Sequence, residues 1–248
     1  MKFFIGTSGY YYKDWFKIIY KDTKNLLDYY QKFLNSLEIN STFYRLPSLS
    51  SISKYKKYNL FYVFKLNKII THLKKYDENI LNLFLKIKEI LQEKLLGILI
   101  QFPPKFSSKK ENKEFILKLK KFFLKENIYT FFEFRHISWE KEEKFFKENN
   151  INVVKAYFPK NLNWNSFYNF SNQTAYYRIH GIKKLYFDNL EDHLEDIKND
   201  ILKTGKEKNL IFFNNTPQGC AFFNAIKLKK LLEGNEGEKI DKGKKGVI

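Results

Sequence analysis

Short β-rich runs of the chain alternate with longer stretches in which apolar residues recur every three or four positions. Runs of branched and aromatic residues bounded by turn residues predict strands, and the three- and four-residue spacing predicts amphipathic helices. Strands are predicted at residues 3–7, 37–40, 61–65, 97–101, 130–134, 152–156, 175–179 and 210–214. Helices are predicted at residues 26–34, 78–91, 113–124, 141–148, 190–202 and 221–232. Eight strands that alternate with helices predict an α/β fold, a single (β/α)8 TIM-like barrel.

Length and composition fit one barrel domain followed by a short tail. The chain has 248 residues, and barrels of this type typically have about 250. Its 44% hydrophobic residues are sufficient for a sizeable core. No long linker or change of composition divides residues 1–233, which we predict to form one domain. Residues 234–248 are rich in Lys and Gly and have few apolar residues, so we predict a disordered tail there.

Polar side chains share one face of several predicted strands. Side chains alternate across a strand, so Glu38 and Asn40 face opposite to Leu37 and Ile39. If helices cover the outside of the barrel, the polar face of each strand points inward. The polar residues lie near the C-terminal ends of the strands, so they would meet at the C-terminal mouth, where barrel enzymes have their active sites. The residues predicted to converge there are Glu38, Asn40, Lys65, Gln101, Glu133, Arg135, Arg178, His180 and Asn214, with His136 just beyond the fifth strand and Tyr44 and His72 in neighbouring loops.

The charges of this group predict an anionic ligand. Three cations, Lys65, Arg135 and Arg178, oppose two carboxylates, Glu38 and Glu133. An anionic substrate, such as one carrying phosphate, would balance the remaining positive charge.

Catalytic and binding roles can be assigned within the same group. Glu38 or Glu133 is the candidate general base, and His180 is the candidate general acid or base. The residues predicted to bind substrate are Asn40, Tyr44, Lys65, His72, Gln101, Arg135, His136, Arg178 and Asn214.

Two other interpretations of the polar residues stay open. Buried charges need partners whatever the function, so a purely structural layer would pair Glu133 with Arg135, and Glu38 with Lys65 or Arg178. Metal binding by Glu38, Glu133, His136 and His180 is the second alternative. The chain has no His-Glu-x-x-His, Cys-x-x-Cys or Asp-rich loop, so we predict no metal site. No motif identifies a cofactor.

The formal net charge of +18 bears on the partner. Such an excess attracts nucleic acid, acidic membranes and anionic metabolites. Most of it is Lys in a sequence crowded with Asn, Ile, Phe and Tyr, which an A+T-biased genome produces without selection for a partner. A nucleic-acid partner and a compositional origin both remain open.

The location of the protein follows from what the sequence lacks. Cys220 is the only cysteine, so no intrachain disulfide can form and a reducing compartment is the simpler assumption. Neither an apolar signal segment nor a run of 18 uncharged apolar residues occurs. We therefore expect a cytoplasmic protein with no membrane partner. The sequence does not indicate an oligomeric state.

Seven segments, in order along the chain, form a set of motifs. They are Ile5-Gly6-Thr7-Ser8-Gly9-Tyr10 with Trp15, Glu38-Ile39-Asn40-Ser41-Thr42-Phe43-Tyr44-Arg45-Leu46-Pro47, Phe64-Lys65 with Ile70-Thr71-His72, Gln101-Phe102-Pro103-Pro104, Glu133-Phe134-Arg135-His136 with Ser138-Trp139, Arg178-Ile179-His180-Gly181 and Phe213-Asn214-Asn215. Together they resemble the YecE-like family, also called domain of unknown function 72. The resemblance implies a TIM barrel and supplies no reaction, because the family has none to carry over.

One segment departs from that family's pattern. The family tends to end its sixth strand with an Asp near a Ser-Pro, whereas this chain reads Val154-Lys155-Ala156-Tyr157-Phe158-Pro159. If that Asp is a metal ligand or a base, this chain lacks it.

Two functions follow from the sequence. The first is an enzyme, a hydrolase or another phosphate-ester-processing type, that acts on an anionic phosphate-containing substrate, which includes nucleic acid. The second is a non-catalytic module that binds nucleic acid or another anionic ligand. Convergent polar groups in a closed pocket favour the enzyme, and a basic groove past the mouth favours the module.

Overall fold

A computed structural model of the protein describes residues 1–21 and 23–234. Gly234 ends the last helix, and the remainder of the predicted tail, residues 235–248, lies outside the described residues. Among the described residues, no helix has the length and apolar character needed to cross a membrane.

Parallel strands form an eight-stranded sheet in the order β5-β4-β3-β2-β1-β8-β7-β6. A parallel bridge between Phe132 and Val153 joins the two ends of this sheet. In the bridge, the Phe132 N–H donates to Asn152 O and the Val154 N–H donates to Phe132 O, each at 2.9 Å. The sheet is thereby closed into the predicted α/β barrel. The strands are β1 Lys2–Ser8, β2 Ser36–Ile39, β3 Phe61–Lys65, β4 Leu95–Gln101, β5 Thr130–Glu133, β6 Lys155–Tyr157, β7 Thr174–Ile179 and β8 Lys208–Phe213.

Helices follow most of the strands and cover the outside of the barrel, and only a 3-10 turn and loop connect β6 to β7. The α-helices are α1 Leu26–Tyr30, α2 Ser41–Tyr44, α3 Leu49–Ser53, α4 Lys68–Thr71, α5 Glu78–Leu91, α6 Lys110–Leu124, α7 Glu143–Glu148, α8 Leu194–Lys203 and α9 Cys220–Glu233. Shorter 3-10 turns lie at Lys54–Lys57, Gln92–Lys94, Ile137–Lys141, Lys160–Leu162, Glu191–His193 and Pro217–Gly219, and a π-helical turn lies at Phe16–Tyr20.

Helix α5 shows how the local sequence sets these elements. The Asp77 side chain accepts a hydrogen bond from the Ile80 N–H at 3.2 Å and caps the first turn. Ile80, Phe84 and Ile87 then recur on one face and are buried. The helix ends before Gln92, whose φ of 52° lies in the left-handed region.

Several predicted boundaries differ from the observed ones. The predicted helix at 26–34 is helical only over Leu26–Tyr30, and the helix predicted at 141–148 begins at Glu143 after a 3-10 turn. The sixth strand was predicted at 152–156. Val153 instead bridges both Phe132 and Asn169, so regular pairing with β7 begins only at Lys155.

Two apolar clusters lie on opposite faces of the sheet. The larger one fills the space between strands and helices and includes Leu37, Ile39, Phe132 and Ile179. The smaller one fills the barrel interior with Phe4, Val63, Leu99, Phe131, Val154, Tyr176, Leu210 and Phe212. These interior residues alternate with residues of the outer cluster, as strand geometry requires. We call this interior cluster the apolar plug. The polar side chains that follow it on the interior face of the strands therefore lie at the C-terminal mouth.

Candidate functional site

A buried ion-pair layer crosses the barrel just above the apolar plug. Arg178 on β7 donates from Nε and Nη2 to the two carboxylate oxygens of Glu38 on β2, at 2.9 and 2.8 Å. Its Nη1 donates to Glu133 Oε2 on β5. All three side chains are at most 2% exposed. One guanidinium therefore ties three strands that are distant in sequence, in the bidentate geometry that lysine cannot reproduce.

Glu38 is held as a carboxylate by this layer and by Tyr176. The Tyr176 hydroxyl, two residues before Arg178 on the same strand face, donates to Glu38 Oε2. Burial by itself raises the pKa of Glu38, but the Arg178 charge and the hydrogen bonds from Arg178 and Tyr176 outweigh it and lower the pKa. Glu38 is therefore ionised at neutral pH.

Glu133 has a second arginine partner. Arg135 Nε donates to Glu133 Oε1 at 3.0 Å, and the Arg135 guanidinium lies 4.3 Å from the centre of the Trp164 ring. Burial opposes ionisation of Glu133, but Arg178 and Arg135 together hold its pKa well below the usual range.

The rest of the Arg135 guanidinium is only lightly engaged. Its Nη2 lies 3.4 Å from the Tyr186 hydroxyl, at the long end of hydrogen-bond distances, and Nη1 contacts no acceptor among the described residues. The side chain is 14% exposed. Arg135 thus keeps donors that are not used by the carboxylates.

His180 is buried and neutral beside the ion-pair layer. Asn214 Nδ2 lies 3.0 Å from His180 Nδ1, and donation from the amide leaves the imidazole proton on Nε2. That nitrogen is 3.6 Å from Glu133 Oε2, beyond hydrogen-bond distance. Burial lowers the pKa of His180 to about 4, and the raising effect of Glu133 is too small to reverse it.

Lys65 at the end of β3 differs from the two arginines because it is unpaired. Its Nζ lies 4.2 Å from the centre of the Phe43 ring. Within residues 1–21 and 23–234 the Lys65 ammonium makes no ion pair or hydrogen bond. Burial and the neighbouring Arg178 lower the pKa of Lys65 to about 7, against the opposite effects of Glu133 and Glu38.

The other predicted site residues are less closely connected to this group. His72 packs edge-on against Phe43 with ring centres 4.8 Å apart, and burial lowers its pKa to about 4. Gln101 is buried, and its amide donates to the backbone oxygen of Phe102. Tyr44 is 71% exposed at the rim.

Asn40 and His136 have contrasting surroundings. Asn40 Oδ1 is buried, like His180 Nε2, without a hydrogen-bond partner among the described residues. His136 instead accepts from the Ser138 N–H at 3.1 Å and caps the turn that follows β5. The structure thus brings together Glu38, Glu133, Arg135, Arg178, His180 and Asn214, places Lys65 and His72 beside them, and gives His136 a local structural contact.

Three aromatic residues that shape the site, Tyr176, Trp164 and Tyr186, were not predicted from the sequence. Tyr176 lies on the same strand face as Arg178 and His180, so alternation alone would have placed it on the interior face of the barrel. Trp164 and Tyr186 come from loops after β6 and β7, where no strand periodicity exists. No sequence signal was available for those two.

The donor set does not suit a metal ion. No group of three or more His, Cys, Asp or Glu side chains converges in the part of the chain that the structure describes. The Arg178 guanidinium lies between Glu38 and Glu133, the position that a shared cation would require. The two carboxylates are therefore arginine partners in this fold.

A basic cleft of about 490 Å³ adjoins the mouth. His72 lines it, which connects it to Lys65 through Phe43. The other lining residues are Lys74, Pro103, Lys105, Phe106, Ser107, Lys109, Glu111 and Asn112. Three lysines and one glutamate give this cleft a net positive charge.

Comparisons with known proteins agree on the fold. The family model described as "Protein of unknown function DUF72" matches residues 4–245. The crystal structure of a DUF72 family protein from Thermotoga maritima MSB8 is 26% identical with a TM-score of 0.79, over 94% of this chain and 100% of that one. A DUF72 family protein from Enterococcus faecalis V583 is 22% identical with a TM-score of 0.78, over 93% and 95%.

More distant structures share only the barrel. A xylose isomerase domain containing protein from Salmonella typhimurium LT2 is 13% identical with a TM-score of 0.53, over 94% of this chain and 95% of that one. At this identity the likeness shows the TIM-barrel fold and carries no chemistry. A search of curated proteins found no match.

Proposed function

The chain belongs to the DUF72 family, as its motifs predicted, and from this premise we propose that it is an enzyme that binds an anionic, phosphate-containing substrate at the barrel mouth. The family brings no established reaction, so the proposal depends on the site. The observation that carries it is the pair of cations Arg135 and Lys65: Arg135 uses only Nε for a carboxylate, and the Lys65 ammonium contacts no carboxylate among the described residues.

The charge balance of the described site supports an anion. Arg178 and Arg135 neutralise Glu38 and Glu133, and His180 is neutral. Lys65 adds about half a positive charge at pH 7, as follows from its pKa of about 7. An incoming phosphate would meet the free Nη1 of Arg135 and the Lys65 ammonium above a layer that is already neutral.

Unpartnered buried atoms argue against a purely structural layer. Asn40 Oδ1 and His180 Nε2 are buried without a partner among the described residues, whereas buried polar groups are nearly always hydrogen-bonded. We assign these two atoms to the substrate, Asn40 as an acceptor and His180 as a neutral donor.

The proton-transfer role belongs to Lys65 in this proposal. The sequence suggested Glu38 or Glu133 as general base, but arginine holds both pKa values low, and a carboxylate so stabilised is a weak base. His180, with a pKa of about 4, is neutral and serves best as a donor. Lys65 has the pKa near neutrality that general acid-base catalysis favours.

Calorimetric titration with inorganic phosphate tests the proposal. Arg135→Gln removes a charge-assisted contact worth about 1.5–3 kcal/mol, so the Kd should rise by about 10- to 100-fold. Arg45→Gln is the matched control, because Arg45 is an exposed arginine and its loss should change the Kd less than about threefold. Equal phosphate affinity of Arg135→Gln and the unmodified protein would refute anion binding at the mouth.

The basic cleft favours a second candidate, a module that binds nucleic acid without chemistry. Lys74, Lys105 and Lys109 line the cleft beside His72, and such lysines suit sequence-independent phosphate contacts. Under this alternative, the affinity for single-stranded DNA falls steeply as the salt concentration rises. The Lys105→Gln/Lys109→Gln variant should make the negative slope of log K against log salt shallower by about 1 to 2. DNA affinity that this double variant leaves unchanged would remove the support that the cleft provides.

A further inference from the structure

Lys65 occupies an unusual electrostatic position for a lysine. The two carboxylates whose charges act on it, Glu133 and Glu38, are paired with arginines, and its own amine has no ion-pair partner among the described residues. It lies against the face of Phe43 at the end of β3, the end of the barrel at which the predicted substrate enters. A structural lysine in a charged layer would instead share a carboxylate, as Lys155 does with Asp200 at 2.7 Å.

We propose that Lys65 is a nucleophilic amine that forms an imine with an aldehyde or keto group of the substrate. The substrate class is then a phosphorylated carbonyl compound. This inference rests on the proposed function only for the anionic part, since Arg135 would bind the phosphate while Lys65 reacts with the carbonyl carbon.

The bond changes balance without a further reagent. The lone pair of neutral Lys65 Nζ forms a C–N bond as the carbonyl π pair moves to oxygen. That oxygen gains one hydrogen from Nζ and one proton from solvent, and it leaves as water. The product is a protonated imine, so one proton is taken up and one water is released.

The surroundings of Lys65 favour the neutral amine on which this step depends. Burial is the largest effect, and the charges of Arg178 and Arg135 add to it. Glu133 and Glu38 act in the opposite direction. Burial and the Lys65 charge lower the pKa of His72 to about 4, so His72 is uncharged at neutral pH. With a pKa of about 7, roughly half of the amine is free at pH 7, compared with about 1 in 2,500 for an ordinary lysine.

The neighbouring groups also suit the product. A protonated imine is a cation, and Glu38 and Glu133 supply the negative potential that stabilises it without giving up their arginines. The Phe43 face provides a further cation–π contact at the position of the nitrogen.

Reductive trapping tests the inference on the full chain. The protein is incubated at pH 7 with glycolaldehyde phosphate and cyanoborohydride, and modified lysines are located by peptide mass mapping. Lys144 is the internal control, because its side chain is 87% exposed. We expect Lys65 to be modified at least about 100-fold faster than Lys144, allowing for the lower nucleophilicity of a weaker base.

Two further measurements test whether Lys65 is the amine that reacts. The Lys65 rate should reach half its maximum near pH 7, whereas the Lys144 rate should still rise above pH 9. Lys65→Arg keeps a cation that cannot form an imine, so the rapid modification of one lysine per chain should vanish in this variant. The inference is overturned if Lys65 reacts no faster than Lys144, or if the rapid modification persists in Lys65→Arg.

The two proposals fail in different ways. Fast modification of Lys65 by glycolaldehyde and glycolaldehyde phosphate alike, with no protection by inorganic phosphate, supports the amine and refutes the anion site. Phosphate binding that depends on Arg135, together with an unreactive Lys65, supports the anion site and refutes the amine.

Discussion

Glu133→Gln is the sharpest perturbation of the ion-pair layer. The substitution keeps the shape of the side chain and removes one buried charge. Glu133 is 2% exposed and accepts from Arg135 Nε and from Arg178 Nη1. After the change, Arg178 keeps its contact with Glu38 but Arg135 loses its carboxylate partner, and the new amide directs an N–H group toward one of the two guanidiniums.

The expected cost follows from this geometry. Breaking a buried ion pair by removing one partner costs about 3–5 kcal/mol of unfolding free energy. For a domain of this size, about 1 kcal/mol corresponds to about 2–4 °C in Tm, so Tm should fall by about 6–20 °C.

The pH dependence of this cost has a definite sign. Arginine lowers the pKa of folded Glu133 below its unfolded value, so the carboxylate stabilises the fold above about pH 4.3. The contribution is lost as the pH falls through the folded pKa. The difference between variant and parent should therefore be steady from pH 6 to 8 and shrink in strong acid.

Thermal and urea unfolding at pH 7 measure the effect. Glu143→Gln is the control, because Glu143 makes an exposed ion pair with Lys147 and its loss should cost less than about 1 kcal/mol. The double variant Glu133→Gln/Arg135→Gln should recover more than about 1 kcal/mol, because it removes the surplus cation. A Glu133→Gln protein with a Tm within about 2 °C of the parent would refute the assignment of a stabilising role to the layer.

Two other predictions concern residues next to the ion-pair layer. Tyr176→Phe should cost about 1.5–3 kcal/mol in urea unfolding, because it removes a hydrogen bond to a charged group, and Tyr177→Phe, which loses only the neutral contact with Thr204, should cost less; equal costs would contradict the Glu38 assignment. His180 has a folded pKa of about 4 against about 6.5 unfolded, so the protein should lose up to about 3 kcal/mol as the pH falls from 6.5 to 4. The His180→Asn variant should lose much less unfolding free energy over this pH range. If the variant loses as much as the parent, His180 is not responsible for the effect.

The sequence predicted much of this fold because strands and helices carry different periodicities. All eight predicted strands overlap observed ones, and the resemblance to the YecE-like family and the TIM-barrel fold are confirmed. Strand alternation also placed Glu38 and Arg178 on the same side of the sheet as the interior cluster. Both results depend on local pattern, which is visible in a single sequence.

The pairing within the site was not predictable in the same way. Arg178 lies 140 positions from Glu38 and 45 from Glu133, and no local rule specifies which carboxylate it bridges. The count of three cations against two carboxylates also left out desolvation, which the carboxylate partners outweigh at Arg178 but not at the unpaired Lys65. Partner choice and burial are properties of the closed barrel.

The junction between β5 and the segment before β6 gives the ion-pair layer a mechanical consequence. Regular strand pairing elsewhere in the sheet is extensive, but here the bridge of Phe132 to Val153 joins the two ends. Arg178 on β7 and Glu133 on β5 lie on either side of that junction, so their ion pair is a side-chain link across it. The guanidinium that organises the mouth therefore also links the two ends of the sheet, so the side chains of the mouth have their observed arrangement only in the closed barrel.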